Sequence, residues 1–501
     1  LGISLPALPS GEQIQNRLNS DRRLAAVLTG AFIGLTAVIF GALLAVGGPI
    51  LAFGALLGIA AGVYVLTDLM TGVFLMIVVI GLLPYGTLPV KVAVTPTLLD
   101  CALGGFLLVY IFQWMTGRRT AFRIVPAAGL IIAFVLFMIF SFVAGLPHSL
   151  VTSAVLRKFT EMCLSILMAI VFVDVVRDVP TLRRIILAIV LIGAVQGVVG
   201  LVLVRVEPAT AERLLNALGR FGYPQGGVVR YVNDDPTQAE RAIGTWVDPN
   251  SFGFFLMLTG AIAASQMLSD RPVTGKRWIA FLLFLPILGS LYYSRSRQAQ
   301  IGLVVALLVM AIARYRWLIP VLILGVGVVL ILPGTSDDVQ RFIDGINGQD
   351  LSTQMRLGEY KDALILINRY PLIGVGFAGT PDRDIYLGVA DVYLTIAGNV
   401  GLLGLGLYFL LIAEIFRYSF SHWRVLRHSG ELFGLWLGFL AAIIGALVQG
   451  LFDHFYFHIE FQAAVTIYWM FIGLALACVV IADQGAKTQR EIAALKGFRH
   501  E

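Results

Sequence analysis

Four arginines stand where an arginine is costly unless it is used. Arg241 opens the stretch Arg241-Ala-Ile-Gly244-Thr-Trp-Val-Asp248-Pro-Asn250, which leads directly into an apolar run. Arg295 and Arg297 lie in Ser294-Arg-Ser-Arg-Gln298, wedged between two apolar runs with almost no loop around them. Arg356 sits on a stretch that ends Asn368-Arg-Tyr-Pro371-Leu-Ile-Gly374-Val-Gly376. Asp391 begins Asp391-Val-Tyr393-Leu394, followed by Gly398-Asn-Val-Gly401-Leu-Leu-Gly404. A guanidinium keeps its charge and offers a two-pronged fork of donors, so several of them together suit a phosphate or pyrophosphate. An acid beside them supplies a hydrogen-bond acceptor or a base. The alternative for any one surface arginine is snorkelling to lipid headgroups, and Arg297, embedded between spans, fits that least.

Two further groups are candidates. Arg157, Lys158 and Glu161 stand at the start of another span, where a local charge pair competes with pyrophosphate or lipid contact. Asp453-His454 with His458 has the i, i+4 spacing of a metal pair but no evident third or fourth ligand. Its flanking Phe455, Tyr456 and Phe457 read as an interfacial aromatic belt. Cys101, Cys163 and Cys478 fall in or at the edge of apolar spans and suggest neither zinc nor a disulfide framework. No metal and no cofactor is expected, and no glycine-rich phosphate loop occurs.

The elements that must position these residues are membrane helices. Of 501 residues, 58% are hydrophobic and only 13% charged, which is too apolar for a chain with an ordinary polar exterior. Runs such as Trp278 to Gly289 are apolar on every face, unlike the alternation of a β-barrel strand. The expected fold is all-α and polytopic, with about 12–14 spans. They lie near residues 25–46, 50–66, 69–84, 97–115, 127–146, 159–175, 185–204, 251–268, 278–293, 299–313, 317–333, 400–416, 432–451 and 463–482. The polar stretch from Gly11 to Arg23 runs into a span long enough to anchor, which argues against a cleavable signal peptide.

Short cytoplasmic loops collect Lys and Arg. With the N-terminus inside, nearly every basic cluster falls on one side: Arg118, Arg119 and Arg123; Arg177, Arg183 and Arg184; Arg271, Lys276 and Arg277; Arg314 and Arg316; Arg417, Arg424 and Arg427; and Lys487 to Arg499. The chain then reads as a single transmembrane domain, 1–501, with two extracytoplasmic insertions, 205–250 and 334–399, and all the candidate motifs on the outer side. The formal charge of +6 follows from topology, so no nucleic-acid partner is needed. Within the second insertion, 352–370 reads as a surface helix capped by Ser352 or Thr353, with Leu357, Tyr360, Leu364 and Ile367 on one face and Pro371 stopping it. The residues from Ala482 onward read as a short amphipathic tail.

In this order the motifs resemble the O-antigen ligase and O-antigen polymerase superfamily. The resemblance rests on Arg241 with Gly244 and Asp248-Pro-Asn250, Ser296-Arg297, the Arg356 helix with Pro371 to Gly376, Asp391-x-Tyr393-Leu394 with Gly401-Leu-Leu-Gly404, and Asp453-His454 and Trp469. It covers mainly residues 240–480. It implies a multi-pass enzyme of the bacterial inner membrane whose active site faces the periplasm, and a metal-independent, inverting glycosyltransfer from an undecaprenyl-pyrophosphate-linked glycan. It implies a glycan or lipid A-core acceptor, contact with membrane lipids and a chain-length regulator as a further partner. Arg241, Arg295, Arg297 and Arg356 would hold the pyrophosphate; Asp391, Arg297 and Arg356 would be catalytic; Asn250, Tyr393, Asp453, His454, Arg157, Lys158 and Glu161 are further candidates. Ligases of the superfamily typically carry a histidine where this chain has Asp391, which favours the polymerase. A lipid-linked oligosaccharide flippase is the alternative of another class, but transporters place odd residues near mid-span rather than at one face.

Overall fold

The computed structural model describes residues 68–88, 95–148, 151–331, 351–380 and 388–497, with isolated positions at 34, 340, 343, 347 and 348. The expected spans 25–46 and 50–66 lie, but for Gly34, outside the described residues, as do parts of the 334–399 insertion. The chain divides into two compact units, residues 1–75 with 102–122 and residues 76–101 with 123–501. In the smaller unit, Arg119 bonds Gln113 through its Nε (3.0 Å) and lies over the Tyr110 ring.

The helices are α1 (Leu69–Leu82), α2 (Leu98–Met115), α3 (Ala127–Gly145), α4 (Ser153–Val175), α5 (Val179–Leu203), α6 (Pro208–Asn216), α7 (Pro249–Leu268), α8 (Arg277–Tyr293), α9 (Arg297–Ala313), α10 (Leu318–Ile331), α11 (Leu351–Arg369), α12 (Val392–Ser421), α13 (Trp423–His428), α14 (Glu431–Gln449) and α15 (Gln462–Gly497). The described strands are the two-residue pair β1 (Arg230–Tyr231) and β2 (Glu240–Arg241). Among the described residues seven helices are long and apolar enough to cross a membrane, and α1, α8 and α9 are shorter apolar helices. The chain is a polytopic membrane protein.

Within the larger unit, α7 is buried on nearly all sides and packs against α5, α8, α9 and α14, while α4 lies along α15 and α12 along α3. With lipid outside, close backbone approach replaces the hydrophobic drive between helices. Gly302 of α9 and Gly445 of α14 illustrate it: a Cβ added at either would press within 3.1 Å or less of the other's carbonyl oxygen. Helix starts are set by acids. Asp178 caps α5 by accepting the Thr181 N–H (2.8 Å), and Asp248 caps α7 by accepting those of Asn250 and Ser251 at 3.0 and 2.7 Å, with Pro249 next.

Two expectations are corrected. Helix α11 begins at Leu351, so Ser352 and Thr353 lie inside it rather than capping it. The segment after Ala482 continues α15 without interruption, since no proline intervenes in its 36 residues. The expected apolar face of α11 also divides. Leu357 and Leu364 are exposed, whereas Ala363 and Leu366 are buried and Arg356, Glu359 and Tyr360 are half-buried on the inward side.

Helix α12 is broken. Gly401 adopts φ 77°, and the carbonyls that the break releases are taken by the loop after α11. Val375 and Gly376 donate their N–H groups to Gly398 and Asn399 (3.0 and 2.9 Å), and Leu402 donates to Pro371 (2.7 Å). The Ser141 hydroxyl of α3 lies 2.7 Å from the carbonyl oxygens of both Ile373 and Asn399. Gly374 and Gly376, at φ 69° and 81°, turn the loop as their spacing from Pro371 suggests.

Candidate functional site

Chain direction puts the starts of α7, α9 and α12 and the ends of α8 and α14 at one end of the larger unit, and the candidate residues gather there. Arg241, on β2, donates through Nε to the Ser294 carbonyl (2.9 Å) and through its terminal nitrogen to Oδ1 of Asn250 (2.6 Å). The Ala242 N–H adds a bond to the Tyr293 carbonyl (2.9 Å), so the Arg241 strand, the Asn250 turn and the Ser294–Gln298 turn form one body. Both turns are strained: Val247, a β-branched residue, and Arg295 have φ of 63° and 53°. Left-handed backbone at such residues costs about 1–3 kcal/mol each and persists where surrounding bonds impose it.

Arg297 opens α9, and one residue on, Gln298 donates to Oδ2 of Asp453 (2.8 Å). Asp453 also accepts the His454 N–H at Oδ1 (2.9 Å) and is buried. Burial pushes its carboxyl up to about 7, against the opposing pull of the Arg356 charge. A carboxyl so raised is suited to proton exchange near neutrality. The neighbouring His454 is held neutral, lowered to about 3 by burial and then by His458, whose ring centre is 4.6 Å away.

Helix α11 reaches the same loops. Oε2 of Glu359 accepts the Ala390 N–H (3.0 Å), and the Tyr360 hydroxyl donates to the Leu451 carbonyl (3.2 Å). The charge of Arg356, one turn before Tyr360, acts on both Asp453 and His454. Asp391 caps α12, accepting the Leu394 N–H at 2.7 Å, while the next residue, Val392, bonds the Gly450 carbonyl (2.8 Å). Burial raises the Asp391 carboxyl and the cap bonds lower it again in part.

The remaining candidates are occupied by packing or pairing. Tyr393 gives its hydroxyl to the Leu447 carbonyl (2.6 Å) and stacks on Phe409. Arg157 is paired with Asp100 (2.6 Å) and Glu161 (3.3 Å), and Lys158 with Glu460. Through Glu460, whose N–H donates to His458 (3.2 Å), Lys158 reaches the loop that bears Asp453. Among the described residues no cluster of three His, Cys, Asp or Glu is arranged to hold a metal ion.

The geometry is thus a set of arginine-bearing turns around buried carboxylates at the mouths of several spans. Residues 280–409 match the O-antigen ligase family, Wzy_C. The matched stretch runs from α8 through the break in α12 and includes Arg295, Arg297, Arg356 and Asp391. An O-antigen ligase domain is of the ligase and polymerase type, which transfers lipid-linked glycans. No curated relative matches the chain. Arg241, Asn250 and Asp453 lie outside the matched stretch and join the O-antigen ligase domain through Ser294 and Gln298.

Proposed function

We propose that the chain is a surface-polysaccharide polymerase of the O-antigen type, which moves a glycan from a polyprenyl pyrophosphate to the hydroxyl of another lipid-linked glycan at the outer face of the inner membrane. What supports this reading is that Arg241 bonds the Ser294 carbonyl at the start of the turn that carries Arg295 and Arg297, while Gln298 at its end bonds buried Asp453, on which the Arg356 charge also acts. The acceptor oxygen attacks the anomeric carbon while the bond to the pyrophosphate oxygen breaks, and the leaving pyrophosphate takes the electron pair. The arginines bind that oxygen more tightly as its charge grows, which lowers the barrier. The hydroxyl proton passes to Asp453, whose raised pKa suits it to accept one near pH 7. Asp391 is assigned the positioning of α12 against the Gly450 loop, since it caps the helix at Leu394 and its neighbour Val392 bonds the Gly450 carbonyl.

The reading needs no metal in the displacement. The ligase alternative, transfer to lipid A-core, uses the same donor site and differs only in acceptor. The test is incubation of the purified protein with a lipid-pyrophosphate glycan, alone and with lipid A-core, followed by product sizing. A ladder of longer lipid-linked glycans without core is expected. Product only when core is present would make the enzyme a ligase, and no product in either case would overturn the transferase reading.

A further inference from the structure

At the other end of the larger unit, five of the basic loop clusters surround one cavity of about 910 Å3. Its wall is formed by the start of α5, the Ser269–Arg271 turn, Arg314, the α13–α14 turn and the 481–490 portion of α15. Two acids in the wall are already satisfied by arginines. Asp270 pairs with Arg277 and with Arg314 (3.0 Å), and Glu431 pairs with Arg183. Arg271, Arg424 and Arg490 remain in the same wall with no acid in ion-pair range among the described residues. Val425, Leu432 and Ile481 give the cavity an apolar flank.

We propose that this cavity binds a phosphate-bearing anion, held by Arg271, Arg424 and Arg490. Three guanidiniums in one recess, with no acid in ion-pair range among the described residues, repel one another unless an anion joins them, and phosphate accepts from several forks at once. The volume suits a headgroup with two phosphates rather than a single small ion. Basic recesses between membrane helices on the loop-bearing side are where anionic headgroups lodge, and the apolar flank offers room for the glycerol or the first carbons of an acyl chain. The site is separate from the candidate active site: α7 alone spans about 30 Å between them.

The test is thermal unfolding of the full-length, delipidated protein in neutral detergent. The probes are a bisphosphatidyl glycerolipid, phosphatidylglycerol, zwitterionic phosphatidylcholine and inorganic pyrophosphate, at matched phosphate. The midpoint should rise with the anionic probes and not with phosphatidylcholine, and binding should weaken on the order of tenfold for each arginine removed in R271Q, R424Q and R490Q. A rise with the lipids alone assigns the site to a membrane headgroup; an equal rise with pyrophosphate, lost in the triple variant, assigns it to a soluble phosphate compound. No rise with any anion, or a rise of the same size in the triple variant, overturns the proposal. Should the triple variant not fold, the three single variants and the charge-keeping R271K/R424K/R490K protein carry the same comparison.

Discussion

Gln298 donates its side-chain amide to the buried carboxylate of Asp453 at 2.8 Å, across 155 positions of sequence. That bond joins the helix opened by Arg297 to the loop after α14, and it helps to set the position of a carboxyl that burial raises to about 7.

Asp453→Asn keeps an acceptor for Gln298 but cannot take a proton. Activity should fall about 10²- to 10⁴-fold with the protein still folded, as judged by size-exclusion profile and product sizing. In the wild type, kcat/KM should rise with pH through about 7 and level off, because only the ionised form is a base. The stability contribution has the opposite sign. The native carboxyl retains a proton that the unfolded chain releases near pH 4, so the contribution is full below that pH and is lost as the pH rises to about 7. The variant should lack both dependences.

Asp391→Asn should retain most activity, since Asn caps nearly as well as Asp. Asp391→Ala removes the acceptor for Leu394 and should cost about 0.5–2 kcal/mol of stability, read from the unfolding midpoint. Folded but inactive Asp391→Asn protein would return the proton transfer to Asp391.

Arg356→Lys keeps a charge and loses the fork. Transfer should slow by about 2–4 kcal/mol in the transition state, with little change in melting, since Arg356 is only half-buried. The same loss is expected for Arg297→Ala. Arg241→Gln should be worse in a different way, lowering stability too, because Arg241 ties the Asn250 and Ser294 turns together.

Single cysteines placed in a background free of Cys101, Cys163 and Cys478 test the topology. Labelling of intact cells should succeed at Gln225→Cys and fail at Gln489→Cys, which lines the basic cavity. The reverse pattern would place the arginine site on the wrong side for an outer-face transferase.

Much of this arrangement is written in local patterns. Asp248-Pro249 is a helix start wherever it occurs before an apolar run, and Pro371 with Gly374 and Gly376 is a stop and turn; both occur as their chemistry dictates. What local pattern does not carry is pairing over distance. Arg157 finds Asp100 from another helix, and Asp453 is buried and bonded by Gln298 from 155 positions away, so next to His454 it reads only as an interfacial polar residue. The extra length of α15 is also unmarked, because the charged stretch after Ala482 is as helix-compatible as it is polar.

The break in α12 bears on how chains of this kind can diverge. An alanine at Gly401 would have its Cβ 2.2 Å from the Leu372 carbonyl oxygen, and one at Gly374 would meet the Asn399 carbonyl group at about 2.5 Å. Either change alone should abolish folding, as loss of the monodisperse protein would report. The two glycines stand 27 positions apart and belong to different elements, yet each packs against backbone within three residues of the other. Inheritance must therefore treat them as one unit: a chimera that exchanges the α11 loop between relatives should assemble only when it brings the matching half of α12 with it.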